Sequence, residues 1–218
     1  MNGIEKTGFF TAFGWSAFIT VFSVAAIILF TSMTAYYLTR VKTGVTNVLY
    51  YMFVFSMIVP FQMVMFTLSL VADRTGLRTP WGIIIIYLGF GAGLAVFMFC
   101  GFVKSIPLEI EEAAIIDGCS SFMLFWRVVF PLIKPAVMTF SIINIFWYWN
   151  DYLMTQMMLT RPALRTIQLS MQTLFNEAFY AWDTALAALT LSLIPILIVF
   201  TLLQKNVLEG ISAGAVKG

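Results

Sequence analysis

The sequence predicts an all-α polytopic membrane protein, on three observations. Hydrophobic residues make up 61% of the chain and charged residues only 10%, where a soluble domain usually carries about 25% charge. The mean hydropathy is +0.95. The apolar residues gather in unbroken runs near the roughly 20 residues that carry a helix across a bilayer core. They do not alternate with polar residues, as the strands of a membrane barrel would.

Five runs read as spans: about Phe13 to Leu38, Val48 to Val71, Trp81 to Phe102, Ala136 to Leu159 and Trp182 to Leu203. Trp15, Trp81, Trp126 and Trp182 lie close to their ends, at the headgroup depth that indoles favour. Pro60 and Pro195 fall inside the second and fifth runs. Membrane helices tolerate proline where neighbours or local geometry satisfy the freed carbonyl. Both prolines read as local kinks, with hinges for a transport motion as the sharper alternative. The run Gly89, Gly91, Gly93 lies within the third span and reads as close helix packing through Gly89 and Gly93.

No room is left for a separate soluble domain, so residues 1–218 form a single membrane domain. Two connecting segments are long enough to matter. The one over 160–181 carries Arg161, Pro162, Arg165 and Glu177 and reads as an exposed loop with partly helical character. The other covers 103–135. If it, the loop after the first span and the C-terminus face the cytoplasm, that side holds Arg40, Lys42, Lys104, Arg127, Lys134, Lys205 and Lys217. The opposite side then holds Lys6, Arg74, Arg78, Arg161 and Arg165. The bias has the sign that the positive-inside rule requires, but it is too small to set the topology alone.

Several classes of function are disfavoured. A net charge of +2 without a basic cluster argues against nucleic acid as a partner. Cys100 and Cys119 are the only cysteines and there is no histidine, so no metal spacing exists; both read as small buried fillers. No cleavable signal peptide is evident, because the first apolar run is too long for one.

The segment 105–135 is the most informative stretch. Ser105-Ile106-Pro107 reads as a helix start, since proline at the first helical position gives up an N–H that has no partner there anyway. Glu109, Glu111 and Glu112 then lie near the positive end of the helix dipole, and Gly118 is placed to end the helix in a left-handed turn. The helix is too short to span and too acidic to lie in lipid. Small Ala113 and Ala114 let it sink into a groove, as small residues do where helices approach closely. Ile110, Ile115 and Ile116 add apolar contact, and Glu112 suits an arginine in such a groove. Phe122, Phe125 and Trp126 follow as aromatic anchors, and Pro131 and Pro135 stiffen the path into the fourth span. The plainer alternative is an interfacial amphipathic linker that touches no partner.

These residues carry a resemblance. Glu112-Ala113-Ala114, Gly118, Val128 and Phe130-Pro131 keep the spacing of the Glu-Ala-Ala motif of permease subunits in bacterial ATP-binding-cassette importers, with Val and Phe standing for the usual Ile and Leu. Asp117 is similar to the aspartate common in the carbohydrate permeases. Trp149-Asn150-Asp151-Tyr152-Leu153 resembles the signature late in their penultimate helix. Tyr36-Tyr37-Leu38-Thr39-Arg40 resembles an aromatic-Leu-Ser/Thr-Arg span end. The tail from Glu209 to Gly218 looks like the C-terminus of the maltose-type inner-membrane subunit. The match covers nearly the whole chain.

The resemblance implies a cytoplasmic coupling helix between the third and fourth spans, in a family that normally has six spans. The chain begins just before the second of these, as a fragment, a misplaced start or a shortened variant would. It implies a bacterial plasma-membrane, multi-pass permease subunit that forms part of the pathway for a sugar or oligosaccharide by alternating access. Glu111, Glu112, Ala113, Ala114, Asp117 and Gly118 would couple to the ATPase, with Asp117 bracing the turn and the tail after Gln204 as a further contact. Asn144, Trp147, Trp149, Asn150 and Asp151 would line the pathway or a gate, against the plainer reading of inter-helix hydrogen bonding. The implied partners are a second homologous permease subunit in a heterodimer, a cytoplasmic ATPase dimer and an extracytoplasmic sugar-binding protein. The chain is then no enzyme. It has no Gly-x-x-x-x-Gly-Lys-Ser/Thr loop, binds no metal or cofactor itself, and leaves ATP and Mg to the partner ATPase.

Rival readings are an ion-coupled secondary transporter, for which Asp151 is the one convincing acidic residue in a span, and a non-transporting assembly subunit. An intramembrane enzyme fits poorly: there is no histidine and no pair of aspartates on facing spans.

Overall fold

Long apolar runs between short polar connections leave the backbone one economical way to satisfy its own hydrogen bonds in lipid, the helix. The computed structural model describes residues 8–177, 182, 186–198, 200 and 201, and each regular element among them is helical. In chain order these are α1 (Phe9–Arg40), α2 (Gly44–Ser56), α3 (Phe61–Arg74), α4 (Pro80–Lys104) and α5 (Leu108–Ile116). There follow α6 (Ser121–Leu132), α7 (Lys134–Asn150), α8 (Leu153–Met158), a 3-10 turn at Pro162–Leu164, α9 (Ile167–Glu177) and α10 (Leu186–Ile198).

By length and composition α1 and α4, of 32 and 25 residues, can each cross a membrane unaided. The second expected span is α2 followed by α3, broken over Met57–Pro60. Pro60 therefore interrupts the helix outright, because the residue before a proline is pushed out of the helical region. Pro195 lies within the run of α10, so the two prolines differ. The fourth expected span is also interrupted: α6 and α7 meet at a 71° bend, and the helix stops again at Asn150 before α8 begins at Leu153. Asp151 supplies the reason for the second break, since its Oδ1 accepts the Met154 N–H at 3.1 Å, a side-chain bond that competes with the helical ladder. Of the fifth expected span, α10, Trp182, Phe200 and Thr201 are described; the tail after Gln204 lies outside the described residues.

The chain divides into two compact units. The first comprises the described residues of Met1–Val24, Phe61–Tyr87 and Ile143–Leu203. Its core joins Phe9, Ala12, Trp149, Ile167, Met171, Ala188 and Ile196. The Ser16 hydroxyl accepts the Ile167 N–H at 2.8 Å, and the Trp15 indole N–H donates to the Ala163 carbonyl at 3.0 Å. The segment over 160–181, expected as an exposed loop with partly helical character, is partly helical and exposed over 160–163, but α9 begins with Ile167 fully buried and Met171 nearly so. The burial was not legible because Arg161 and Arg165 lead into the helix and Glu177 ends it, which gives the segment a polar outline around a short apolar face.

The second unit comprises the described residues of Ala25–Pro60 and Leu88–Ile142. Val96, Phe99, Val103, Val129, Ile133 and Phe140 are buried in it. Thr31 and Thr39 sit in α1 without cost because each hydroxyl donates to the carbonyl four residues back, at 2.6 and 2.7 Å. A Cβ added to Gly93 would lie 2.7 Å from the Phe53 carbonyl oxygen and 2.5 Å from Ser56 Oγ, so a bare backbone lets α4 meet α2 here. Gly89 has nothing within 4 Å of such a Cβ; of the two glycines expected to pack closely, Gly93 alone does so. Cys100 is buried and Cys119 half-buried, both free thiols.

Candidate functional site

The segment that carries the Glu-Ala-Ala stretch is set by its two ends. Pro107, expected at the first helical position, lies one place earlier as an N-cap whose side chain makes no capping bond, and Glu109 and Glu111 occupy the first turn, where the exposed N–H groups favour negative charge. At the other end Gly118 has φ +87°. Its N–H bonds the Ile115 carbonyl, and the Cys119 N–H bonds the Ala114 carbonyl, both at 3.0 Å. This is the double bond pattern that closes a helix through a left-handed glycine. The helix therefore has defined ends and a fixed length of nine residues.

Its two adjacent glutamates face opposite ways. Glu111 is buried. Its Oε1 accepts from Arg40 Nε at 2.9 Å and Nη2 at 2.6 Å, and its Oε2 accepts from the Tyr36 hydroxyl at 3.1 Å. Arg40 Nη2 also donates to the carbonyls of Val103 and Ile106 at 3.0 and 3.1 Å. Glu111, expected to serve a partner, thus uses both carboxylate oxygens inside the molecule. The opposite face presents Glu112, Ala113 and Asp117 to the surroundings, with Ala114 half-buried and Ile116 85% exposed. Two small alanines lie between Glu112 and the exposed Ile115 and Ile116, so the middle of the helix is open to close approach while its end offers apolar contact.

Beyond α5, Ser120 caps α6 by accepting the Met123 N–H at 3.4 Å. The ladder widens into a π-turn over Phe125–Val129, just ahead of Pro131, which has no N–H to contribute. Of the three expected aromatic anchors, Phe122 is exposed, Trp126 half-buried and Phe125 buried. Phe125 instead packs against the Tyr36 ring, 5.6 Å between centroids.

The expected pathway residues differ in exposure. Asn144 and Trp149 are buried, Trp149 edge-on to Phe13 at 5.5 Å. Trp147 and Asn150 are exposed, and Asn150 Oδ1 accepts from Gln168 Nε2 at 3.3 Å. Asp151 is half-buried, and its Oδ2 accepts from the Tyr87 hydroxyl at 2.6 Å. Tyr87 in turn stacks on Tyr148, 4.2 Å between centroids. Tyr36, Tyr87 and Gln168 were not singled out as partners of these groups by sequence reading. Their partners lie 75, 64 and 18 residues away, and no local pattern marks such pairs.

An all-helical membrane protein with an exposed Glu-Ala-Ala helix falls in a defined class: a permease subunit of an ATP-binding-cassette importer, with ATP hydrolysis residing in a separate subunit. Residues 27–212 match the family of binding-protein-dependent transport system inner membrane components, and the chain belongs to that family. It is 39% identical over 206 residues to a probable starch degradation products transport system permease protein of Thermoanaerobacterium thermosulfurigenes, covering 94% of this chain and 75% of that one. It is 33% identical over 216 residues to a melibiose/raffinose/stachyose import permease protein of Bacillus subtilis, covering 98% and 78%. Among solved structures it is similar to a bacterial ABC transporter involved in the import of the acidic polysaccharide alginate, at 27% identity and TM-score 0.76, covering 90% of this chain and 74% of that one.

Proposed function

We propose that this chain is the permease subunit of a carbohydrate importer and that the outward face of α5 is the surface its ATPase grips. The observation that carries the reading is the division of labour between Glu111 and Glu112. The first is consumed by an internal ion pair, while the second stands exposed beside two alanines on a helix that Gly118 closes at its C-terminal end. An exposed carboxylate on a low-relief helix suits a groove that offers an arginine, because a charge-assisted bond there adds orientation as well as attraction. Glu112, Ala113, Ala114, Asp117 and Gly118 form this contact, and Glu111 holds it from behind.

The cargo class rests on the relatives, whose names specify starch degradation products and the melibiose, raffinose and stachyose series. The subunit sits as a multi-pass protein in the bacterial plasma membrane. It pairs with a second homologous permease subunit in a heterodimer, and an extracytoplasmic binding protein delivers the sugar. Two ATPase subunits take up ATP and Mg, and this chain binds no cofactor. Their closure on nucleotide moves α5, and the spans follow between inward-open and outward-open states. A ligand drives such a change only through its differential affinity for the two states. Within the sugar pathway, exposed Trp147 and Asn150 are the residues placed to meet cargo, whereas buried Asn144 and Trp149 and the bonded Asp151 support them.

The test is Glu112→Lys in the complex purified from its native membrane and reconstituted with its binding protein. Reversing the charge lowers co-purification of the ATPase, or uptake of radiolabelled raffinose and maltotriose, at least tenfold, with membrane insertion unchanged. Wild-type ATPase recovery together with wild-type uptake in that variant would refute the assignment.

A further inference from the structure

We propose that Arg40 is a positioning residue that locks the coupling helix α5 to the ends of α1 and α4, so that the three move as one body when the ATPase closes. The inference rests on the reading of the outward face of α5 as the docking surface, and it concerns what lies behind that face.

A docked helix transmits motion only if its own attachment is stiff. Between α4 and α5 the chain runs through Ser105, Ile106 and Pro107 alone, with Pro107 in an extended backbone conformation (φ −58°, ψ 136°). The Ser105 and Ile106 N–H groups still bond back to the Phe102 and Val103 carbonyls at 3.1 Å, so the change of direction is concentrated at Pro107. Arg40 braces that corner. It is the last residue of α1, and its guanidinium reaches the Val103 carbonyl in the last turn of α4, the Ile106 carbonyl in the connector and the Glu111 carboxylate on α5. The planar fork of an arginine can bond several acceptors at fixed angles, which a lysine ammonium does not reproduce.

Two further features stiffen the joint. The side chains of Glu111 and Arg40 are only 6% and 18% exposed, so water and salt compete little for the pair. The second carboxylate oxygen is held by Tyr36, one turn back along α1, so the carboxylate cannot rotate about its bond to Arg40. The same tyrosine ring packs against Phe125 in α6, which brings the element downstream of α5 onto the same support. Every link is within the second unit.

The experiment compares hydrogen–deuterium exchange of the complete complex in lipid nanodiscs, with and without MgATP and vanadate, for the unmodified chain and Glu111→Gln. The unmodified complex shows a nucleotide-dependent change in α5 together with peptides covering 35–40 and 103–106. In Glu111→Gln the response of α5 persists and the response of the other two peptides is lost. Arg40→Lys, which keeps the charge but not the fork, gives the same pattern and serves where Glu111→Gln does not assemble. A full nucleotide response at 35–40 and 103–106 in an assembled variant overturns the proposal, whether or not baseline exchange has risen, because a purely structural role raises exchange equally in both nucleotide states. Failure of both variants to assemble also overturns it, making the pair a folding element. No nucleotide response in α5 of the unmodified complex would instead sink the docking reading, and the link with it.

Discussion

Gly93 is a single hydrogen standing where any side chain would strike a neighbouring backbone. The nearest obstacle that cannot swing aside is the Phe53 carbonyl. Gly93→Ala is therefore expected to destabilise the protein by about 1–3 kcal/mol, the usual range for forcing extra volume into a packed site. Gly89→Ala, which meets nothing within 4 Å, is the matched control and leaves stability unchanged or raises it by up to about 1 kcal/mol, since alanine favours the helix. Thermal unfolding of the purified complex in detergent reads both, and equal shifts would contradict the packing argument. The sequence displays both glycines alike. Which one touches a neighbour depends on the rotation of α4 about its axis, and an apolar helix with no strongly polar face carries little information about that angle. Asp151 is a similar case. Its place in a Trp-Asn-Asp stretch is plain, yet its bond to Tyr87 is set by where α4 begins and how far α7 runs.

At the scale of elements, local chemistry was the better guide. The cap of α2 is an example: the Thr43 hydroxyl accepts the Thr46 N–H at 3.2 Å while the Thr46 hydroxyl accepts the Thr43 N–H at 2.9 Å. This reciprocal pair satisfies two donors that a helix start leaves open. Thr43→Ala is expected to cost about 1 kcal/mol, visible as a small fall in the unfolding midpoint, and Thr43→Ser should restore most of it. The start and end of α5 were legible for the same reason, since Pro107, the early glutamates and Gly118 act within a turn of themselves. Interruptions were harder to see. The hydropathy of 136–159 does not register that Asp151 binds the Met154 N–H, because one polar residue changes a long average very little while it redirects the backbone completely.

For the whole molecule, membership of an importer family places the energy source outside this chain. Vesicles containing the complex are therefore expected to accumulate raffinose or maltotriose only with ATP inside. A sodium or proton gradient alone should give no accumulation above empty vesicles, and uptake on the gradient alone would restore the ion-coupled alternative. Asp151 bears on that alternative directly. A coupling carboxylate has to release its proton or ion in each cycle, whereas this one is held by a tyrosine hydroxyl and a backbone N–H.

By itself the sequence determined the helical membrane class, the presence of α5 and its glycine end, and the small-residue stretch that marks the family. Composition, periodicity and capping all act over a few residues, so they can be read along the chain. Only the tertiary structure decided which of two neighbouring glutamates turns inward, because the arginine that draws Glu111 in lies 71 residues away. Ion pairing across such a separation depends on how helices are rotated against one another, and that is settled by packing over the whole unit.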